Sequence, residues 1–226
     1  MRLPSPLYVI LDRSAVPERD PVELLEAVLA GGCRLVQLRD KTRPMSELYP
    51  LASTLRRRCE AAGALFIVND RADLALAVDA HGLHVGQDDL PAATARRILP
   101  SGLVLGVSAH GPEQARGALA DGADYVAVGS MFPTGSKADF QLVGPGLIRK
   151  LRDEIPVPLI GIGGITEDNV DSVMAAGADG VAVISAVCAA ADPEGATRRL
   201  LARLAQQRPR VREQAGVKLT RRQNPL

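Results

Sequence analysis

Apolar residues in this chain gather in short unbroken runs, not in the strict alternation of a half-exposed sheet. Runs at 7–11, 65–68, 103–107 and 159–162 are rich in Val, Leu and Ile. A strand buried on both faces has this character. Four further runs sit inside a recurring phrase. Gly31-Gly32-Cys33-Arg34-Leu35-Val36-Gln37-Leu38 resembles Ala80-His81-Gly82-Leu83-His84-Val85-Gly86-Gln87, and both echo Gly122-Ala123-Asp124-Tyr125-Val126-Ala127-Val128-Gly129-Ser130. The last returns almost verbatim as Gly177-Ala178-Asp179-Gly180-Val181-Ala182-Val183-Ile184-Ser185. Each phrase has a helix-ending Gly or Ala, a short link and then a strand.

Interleaving the two sets gives eight strands. The segments between them, such as 21–30, 46–61, 112–120 and 167–176, carry helical patterns, several opening with Pro, Ser, Thr or acidic residues suited to a helix N-terminus. Regular β-then-α units with short links predict an α/β fold of one domain, the closed (β/α)8 TIM barrel, over 1–206. An open doubly wound sheet uses the same alternation, but the even spacing and the near-repeat favour closure. The end of the chain breaks the pattern. Residues 207–226 are basic and polar, with Pro209, Pro225 and Arg221-Arg222, and read as a disordered tail.

Composition narrows the function. The 226 residues are 46% apolar without a Trp, and 27 Lys and Arg stand against 26 Asp and Glu. That balance gives no reason to expect a nucleic-acid or membrane-surface partner, so any charge selectivity is local. Cys33, Cys59 and Cys188 are scattered, odd in number and without metal-type spacing, which favours a reducing cytoplasm. There is no signal-like apolar leader and no bilayer-length run. Small-molecule substrates are the expected partners, and a homo-oligomer is left open.

A barrel does its chemistry at the C-terminal ends of its strands. Strand two ends in Gln37-Leu38-Arg39-Asp40-Lys41, where two cations and an amide suit an anionic leaving group or a solvated rim. Strands three and four lead into Asn69-Asp70 and Gln87-Asp88-Asp89. Carboxylates from adjacent loops facing Arg39 and Lys41 suggest a Mg2+ site that shares substrate phosphate oxygens; helix capping by Asp70 and Asp89 is the alternative. No His–Cys cluster accompanies them, which argues against zinc. Ser108, ending strand five, suits either a substrate oxygen or a helix cap, and His110 lacks an identifiable partner. The long loop Gly129–Ser130–Met131–Phe132–Pro133–Thr134–Gly135–Ser136–Lys137–Ala138–Asp139 carries hydroxyls and a Lys that could ring an anion. Gly161-Ile162-Gly163-Gly164 and Ile184-Ser185-Ala186 stand where barrels often hold a phosphate, between strands seven and eight. Two anion sites on one rim, without a Ser–His or Cys–His pair, point to a group transferase with pyrophosphate as leaving group.

These motifs, in this order, resemble the thiamine phosphate synthase family from Tyr8 to about Ala190. The resemblance rests on Val36-Gln37-Leu38-Arg39-Asp40-Lys41, Asn69-Asp70-Arg71, His84-Val85-Gly86-Gln87-Asp88-Asp89-Leu90, Gly106-Val107-Ser108, Phe132-Pro133-Thr134, Lys137, Gly161-Ile162-Gly163-Gly164-Ile165 and Val183-Ile184-Ser185-Ala186. It implies that Asp70 and Asp89 bind Mg2+. It implies that Gln37, Arg39, Lys41, Asn69 and Lys137 hold a pyrimidine pyrophosphate with Ser108 nearby, and that Arg39, Lys41 and Lys137 are catalytic. Thr134, Ser136, Gly164, Ile184 and Ser185 would face a thiazole phosphate. The implied reaction is a dissociative substitution yielding thiamine phosphate and pyrophosphate. Ser136 stands where the family commonly has Thr, and Asp40 where many relatives have Glu. Two rivals share the barrel: a thiazole tautomerase, and a non-catalytic sensor of phosphorylated metabolites.

Overall fold

The computed structural model describes residues 3–135 and 141–207. Ser136 and Lys137 lie outside the described residues, as does the expected tail from 208 onward. The element order is β1 (Leu7–Asp12), α1 (Pro21–Ala30), β2 (Leu35–Arg39), α2 (Met45–Ala61), β3 (Leu65–Asn69), α3 (Ala72–Ala77), β4 (Gly82–Val85), α4 (Ala92–Ile98) and β5 (Val104–Ala109). It continues with α5 (Pro112–Ala120), β6 (Tyr125–Gly129), α6 (Pro145–Leu151), β7 (Leu159–Ile162), α7 (Val170–Ala175), β8 (Gly180–Val183), α8 (Ser185–Cys188) and α9 (Pro193–Gln207). Every strand pairs in parallel with its sequence neighbours, and β1 pairs with β8, so the sheet closes into a (β/α)8 barrel.

Side-chain alternation divides the core into two. Leu7, Val9 and Leu11 of β1, with Val36, Phe66, Leu83, Leu105, Val126 and Val181, belong to the larger cluster between sheet and helices. Tyr8, Ile10, Leu35, Ile67, Val104, Tyr125, Ala127, Ile160 and Ala182 fill the barrel interior. Burying an aliphatic or aromatic side chain of this kind stabilises by roughly 1.5–3 kcal/mol, so both layers resist unfolding strongly. The same period of two continues upward along the inner face. Asp12, Gln37, Arg39, Asn69, His84 and Ser108 follow the interior positions of their strands, which delivers polar groups to one rim.

Local sequence explains the frame and its departures. Asp20 caps α1 by accepting from the N–H groups of Val22 and Glu23 at 2.7 and 3.1 Å. Helix α7 starts at Val170, later than the expected 167, because the Asn169 side chain accepts from the Thr166 N–H at 2.9 Å and closes a turn first. Strands β1 and β5 run past their apolar stretches to include Asp12, Ser108 and Ala109. Among the described residues no helix is long and apolar enough to cross a membrane.

Candidate active site

A cavity of about 650 Å3 opens at the C-terminal ends of the strands. Arg39, Lys41, Asp89, Ser108, Thr134, Gly164, Ile184 and Ser185 line it, so residues from six strand ends meet there. Gln37, Asn69 and Asp70 are not among the residues that line it. The Gln37 amide is 1% exposed and donates to the Tyr8 hydroxyl at 2.6 Å.

One wall is built from β2, β3 and β4. Arg39 donates to Asp12 Oδ2 at 2.5 Å, and Asp12 Oδ1 accepts from the Ser14 N–H and hydroxyl at 2.9 and 2.6 Å. Asp12 is only 1% exposed, so this carboxylate is committed to fixing the guanidinium. Lys41 Nζ lies 2.8 Å from Asp70. Asp70 has a left-handed backbone, φ 60°, a conformation that short polar side chains tolerate better than most. Its N–H is anchored on the His84 carbonyl at 2.8 Å. Asp89 Oδ2 accepts from the Gly86 N–H at 2.8 Å, folding the β4 loop back on itself.

The two carboxyls act on one another and shift in opposite directions. Burial, and then the bond and charge of Asp89, push the Asp70 carboxyl above the usual carboxylate range against the pull of Lys41. Burial opposes ionisation of Asp89 too, but the hydrogen bond from Asp70 and that from the Gly86 N–H hold it below that range. Neither acid caps a helix: α3 and α4 have Arg71 and Pro91 at their N-caps, without side-chain capping bonds. The capping alternative therefore fails for both. Among the described residues no group of three or more His, Cys, Asp or Glu could hold a metal ion. Two adjacent hard oxygen donors do fit a cation that takes its remaining ligands from water and substrate, as Mg2+ does.

The opposite wall comes from β6, β7 and β8. Gly163 and Gly164 have φ of 98° and 64°, and a Cβ on Gly164 would sit 2.4 Å from the Pro133 carbonyl oxygen. Only glycine lets the two loops approach so closely. Backbone bonds from Met131 to Ile162 at 2.9 Å and from Phe132 to Gly163 at 3.0 Å tie them together. Ser185 opens α8, so its N–H lies ahead of the first intrahelical bond and beside the glycine turn. Thr134 completes this side.

One contributor, Asp12, lies outside every motif, and others lie within or beside motifs that do not show their partners. Asp12 ends an apolar run, where it resembles the first residue of a loop. His84 Nε2 lies 2.9 Å from Ser108 Oγ, and α5 is capped by Gly111 without a side-chain bond, so Ser108 does not serve as its cap. His110 does have a partner: its Nδ1 lies 2.6 Å from the Gly129 carbonyl oxygen. The Gln87 amide donates to the Ser108 carbonyl at 2.6 Å. These pairings join side chains and backbone across neighbouring strands, which periodicity does not reveal.

Comparison with known proteins gives a consistent answer. Residues 7–187 match the family model described as thiamine monophosphate synthase. A thiamine-phosphate synthase of Moorella thermoacetica is 51% identical over 195 residues, 86% of this chain and 93% of that protein. One of Methanospirillum hungatei is 48% identical, with 85% and 94% covered. The solved structure of thiamine phosphate pyrophosphorylase from Pyrococcus furiosus superposes with a TM-score of 0.82 at 41% identity, covering 89% of this chain and 96% of that one.

Proposed function

The chain belongs to the thiamine monophosphate synthase family, and on that premise we propose how its residues carry the family's reaction. The activity is that of a transferase: 4-amino-2-methyl-5-(hydroxymethyl)pyrimidine pyrophosphate and 4-methyl-5-(hydroxyethyl)thiazole phosphate, or its carboxylated precursor, give thiamine phosphate and pyrophosphate. The observation that carries the residue assignment is the division of one cavity into two walls. Lys41, Asp70 and Asp89 cluster on one, and the Gly163-Gly164 turn with Ser185 forms the other.

On the first wall Arg39 and Lys41 hold the pyrophosphate, with Gln37, Asn69 and Ser108 around the pyrimidine and Lys137 joining from the long loop. Asp70 and Asp89 would hold Mg2+, which when bound supplies positive charge to neutralise the leaving group. The carbon–oxygen bond breaks and its electron pair departs with pyrophosphate. Arg39, Lys41 and Lys137 stabilise that charge, and the cationic pyrimidine methylene is captured by the thiazole nitrogen. Thr134, Ser136, Gly164, Ile184 and Ser185 position the thiazole phosphate so that its nitrogen faces the reacting carbon. No residue needs to form a covalent intermediate. One chain supplies the described lining of the cavity, and a homo-oligomer is compatible with this reading. Three buried free thiols suit a cytoplasmic setting.

The tautomerase and sensor readings leave the Lys41–Asp70–Asp89 cluster without a role. Titration calorimetry on Asp89→Asn tests the assignment. Mg2+-dependent binding of the pyrimidine pyrophosphate should fall by more than about tenfold, as expected for losing a charged ligand. Thiazole phosphate binding should stay near wild type. Equal loss of both ligands would contradict two separate subsites.

A further inference from the structure

A line of hydrogen bonds crosses the barrel interior beneath the cavity. The Gln37 amide donates to Tyr8 Oη at 2.6 Å, Tyr8 Oη lies 3.0 Å from Tyr125 Oη, and Tyr125 Oη lies 3.0 Å from His84 Nδ1. His84 Nε2 then meets Ser108 Oγ at 2.9 Å, and Ser108 lines the cavity. The line draws on β1, β2, β4, β5 and β6, and Tyr8 and Tyr125 are 1% and 0% exposed. Space was made for it. A Cβ on Gly106 would fall 2.1 Å from the Tyr125 ring, which stacks on His84 with centroids 5.6 Å apart.

The donor at one end favours one polarity. With Tyr8 accepting from the Gln37 amide, its single hydrogen is available to Tyr125, and that of Tyr125 to His84 Nδ1. Burial pushes both phenols up, so both keep their protons. With Nδ1 accepting, a neutral His84 carries its hydrogen on Nε2 and donates to Ser108 Oγ. The Ser108 hydroxyl thus has an acceptor site filled from below and its own hydrogen left for the cavity.

We propose that Tyr8, Tyr125 and His84 are positioning residues that fix Ser108 as a hydrogen-bond donor to an acceptor atom of the substrate, such as a bare ring nitrogen of a pyrimidine. This rests on the placement of the pyrimidine pyrophosphate beside Ser108. A hydroxyl free to rotate presents donor or acceptor indifferently; a relayed one discriminates between them.

Steady-state kinetics on a double-mutant cycle provide the test. His84→Asn keeps an amide near the Nδ1 position and loses the contact to Ser108, whereas His84→Gln restores a donor near Nε2. His84→Asn should lower kcat/KM for the pyrimidine pyrophosphate by roughly tenfold, the scale of one buried hydrogen bond. KM for thiazole phosphate should remain within about twofold, and His84→Gln should recover most of the loss. Added to Ser108→Ala, His84→Asn should do no further harm, because it acts through that hydroxyl. If His84→Asn fails to fold, Tyr125→Phe removes only the bridging hydroxyl and should give the same selective, non-additive loss. Wild-type kinetics for the folded variant, no rescue by Gln, or losses that multiply with Ser108→Ala would overturn the relay. An unimpaired Ser108→Ala would overturn the site assignment together with it.

Discussion

Asp12 holds Arg39 from a position that the chain's motifs leave unmarked. Replacing it by Asn should free the guanidinium and lower kcat/KM for the pyrimidine pyrophosphate by roughly tenfold or more, because a charge-assisted bond at a buried site is lost. The melting temperature and the KM for thiazole phosphate report whether the effect is local. Immediately after Arg39, Asp40 Oδ1 accepts from the Thr42 and Arg43 N–H groups, while its Oδ2 faces Arg43 at 3.4 Å without a hydrogen bond. Burial opposes ionisation, but those N–H bonds win and hold the Asp40 carboxyl below its ordinary value. A depressed carboxyl stabilises the fold fully above its unfolded value of about 3.9 and loses that contribution as pH falls through the folded value. Asp40→Asn should therefore cost about 1 kcal/mol in urea unfolding at neutral pH and little in strong acid. Burial also pushes Cys59 and Cys188 up to about 12, so a thiol reagent at neutral pH should label neither before unfolding. At this scale the sequence is partly legible. Arg39, Lys41, Asp70 and Asp89 stand out by charge in an apolar context, whereas Asp12 and His84 matter through partners on other strands.

Elements were easier to read because each carries its own periodicity. The apolar runs mark the strands, and the repeated Gly-Ala-Asp phrase marks β6 and β8. What periodicity misses is where a strand stops, since Asp12 and Ser108 keep strand pairing after their apolar stretches end. It also misses α7's late start, which a side-chain turn decides. The loops joining β6 and β7 to their helices depend on close approach. Gly164→Ala should weaken thiazole phosphate binding by at least about tenfold, because a methyl at left-handed φ strains the turn and pushes on Pro133. Pyrimidine pyrophosphate binding, measured by the same titration, should change little.

For the molecule as a whole, eight evenly spaced units allowed either an open sheet or a barrel, and the pairing of β1 with β8 settles closure. Closure brings the ends of β2 and β8 onto one rim, with Arg39 and Ser185 lining one cavity although 146 positions separate them in the numbering. Motif order suggested two anion sites; only the closed sheet makes them face each other. The proposal for this shared cavity is that it joins two phosphorylated substrates with metal-assisted loss of pyrophosphate. The most direct measurement is pyrophosphate release by the purified protein, given each substrate alone and then both, with Mg2+ and afterwards with a chelator. Release is expected only with both substrates and Mg2+, in step with thiamine phosphate formation. Tight thiazole phosphate binding without pyrophosphate release under any of these conditions would contradict it.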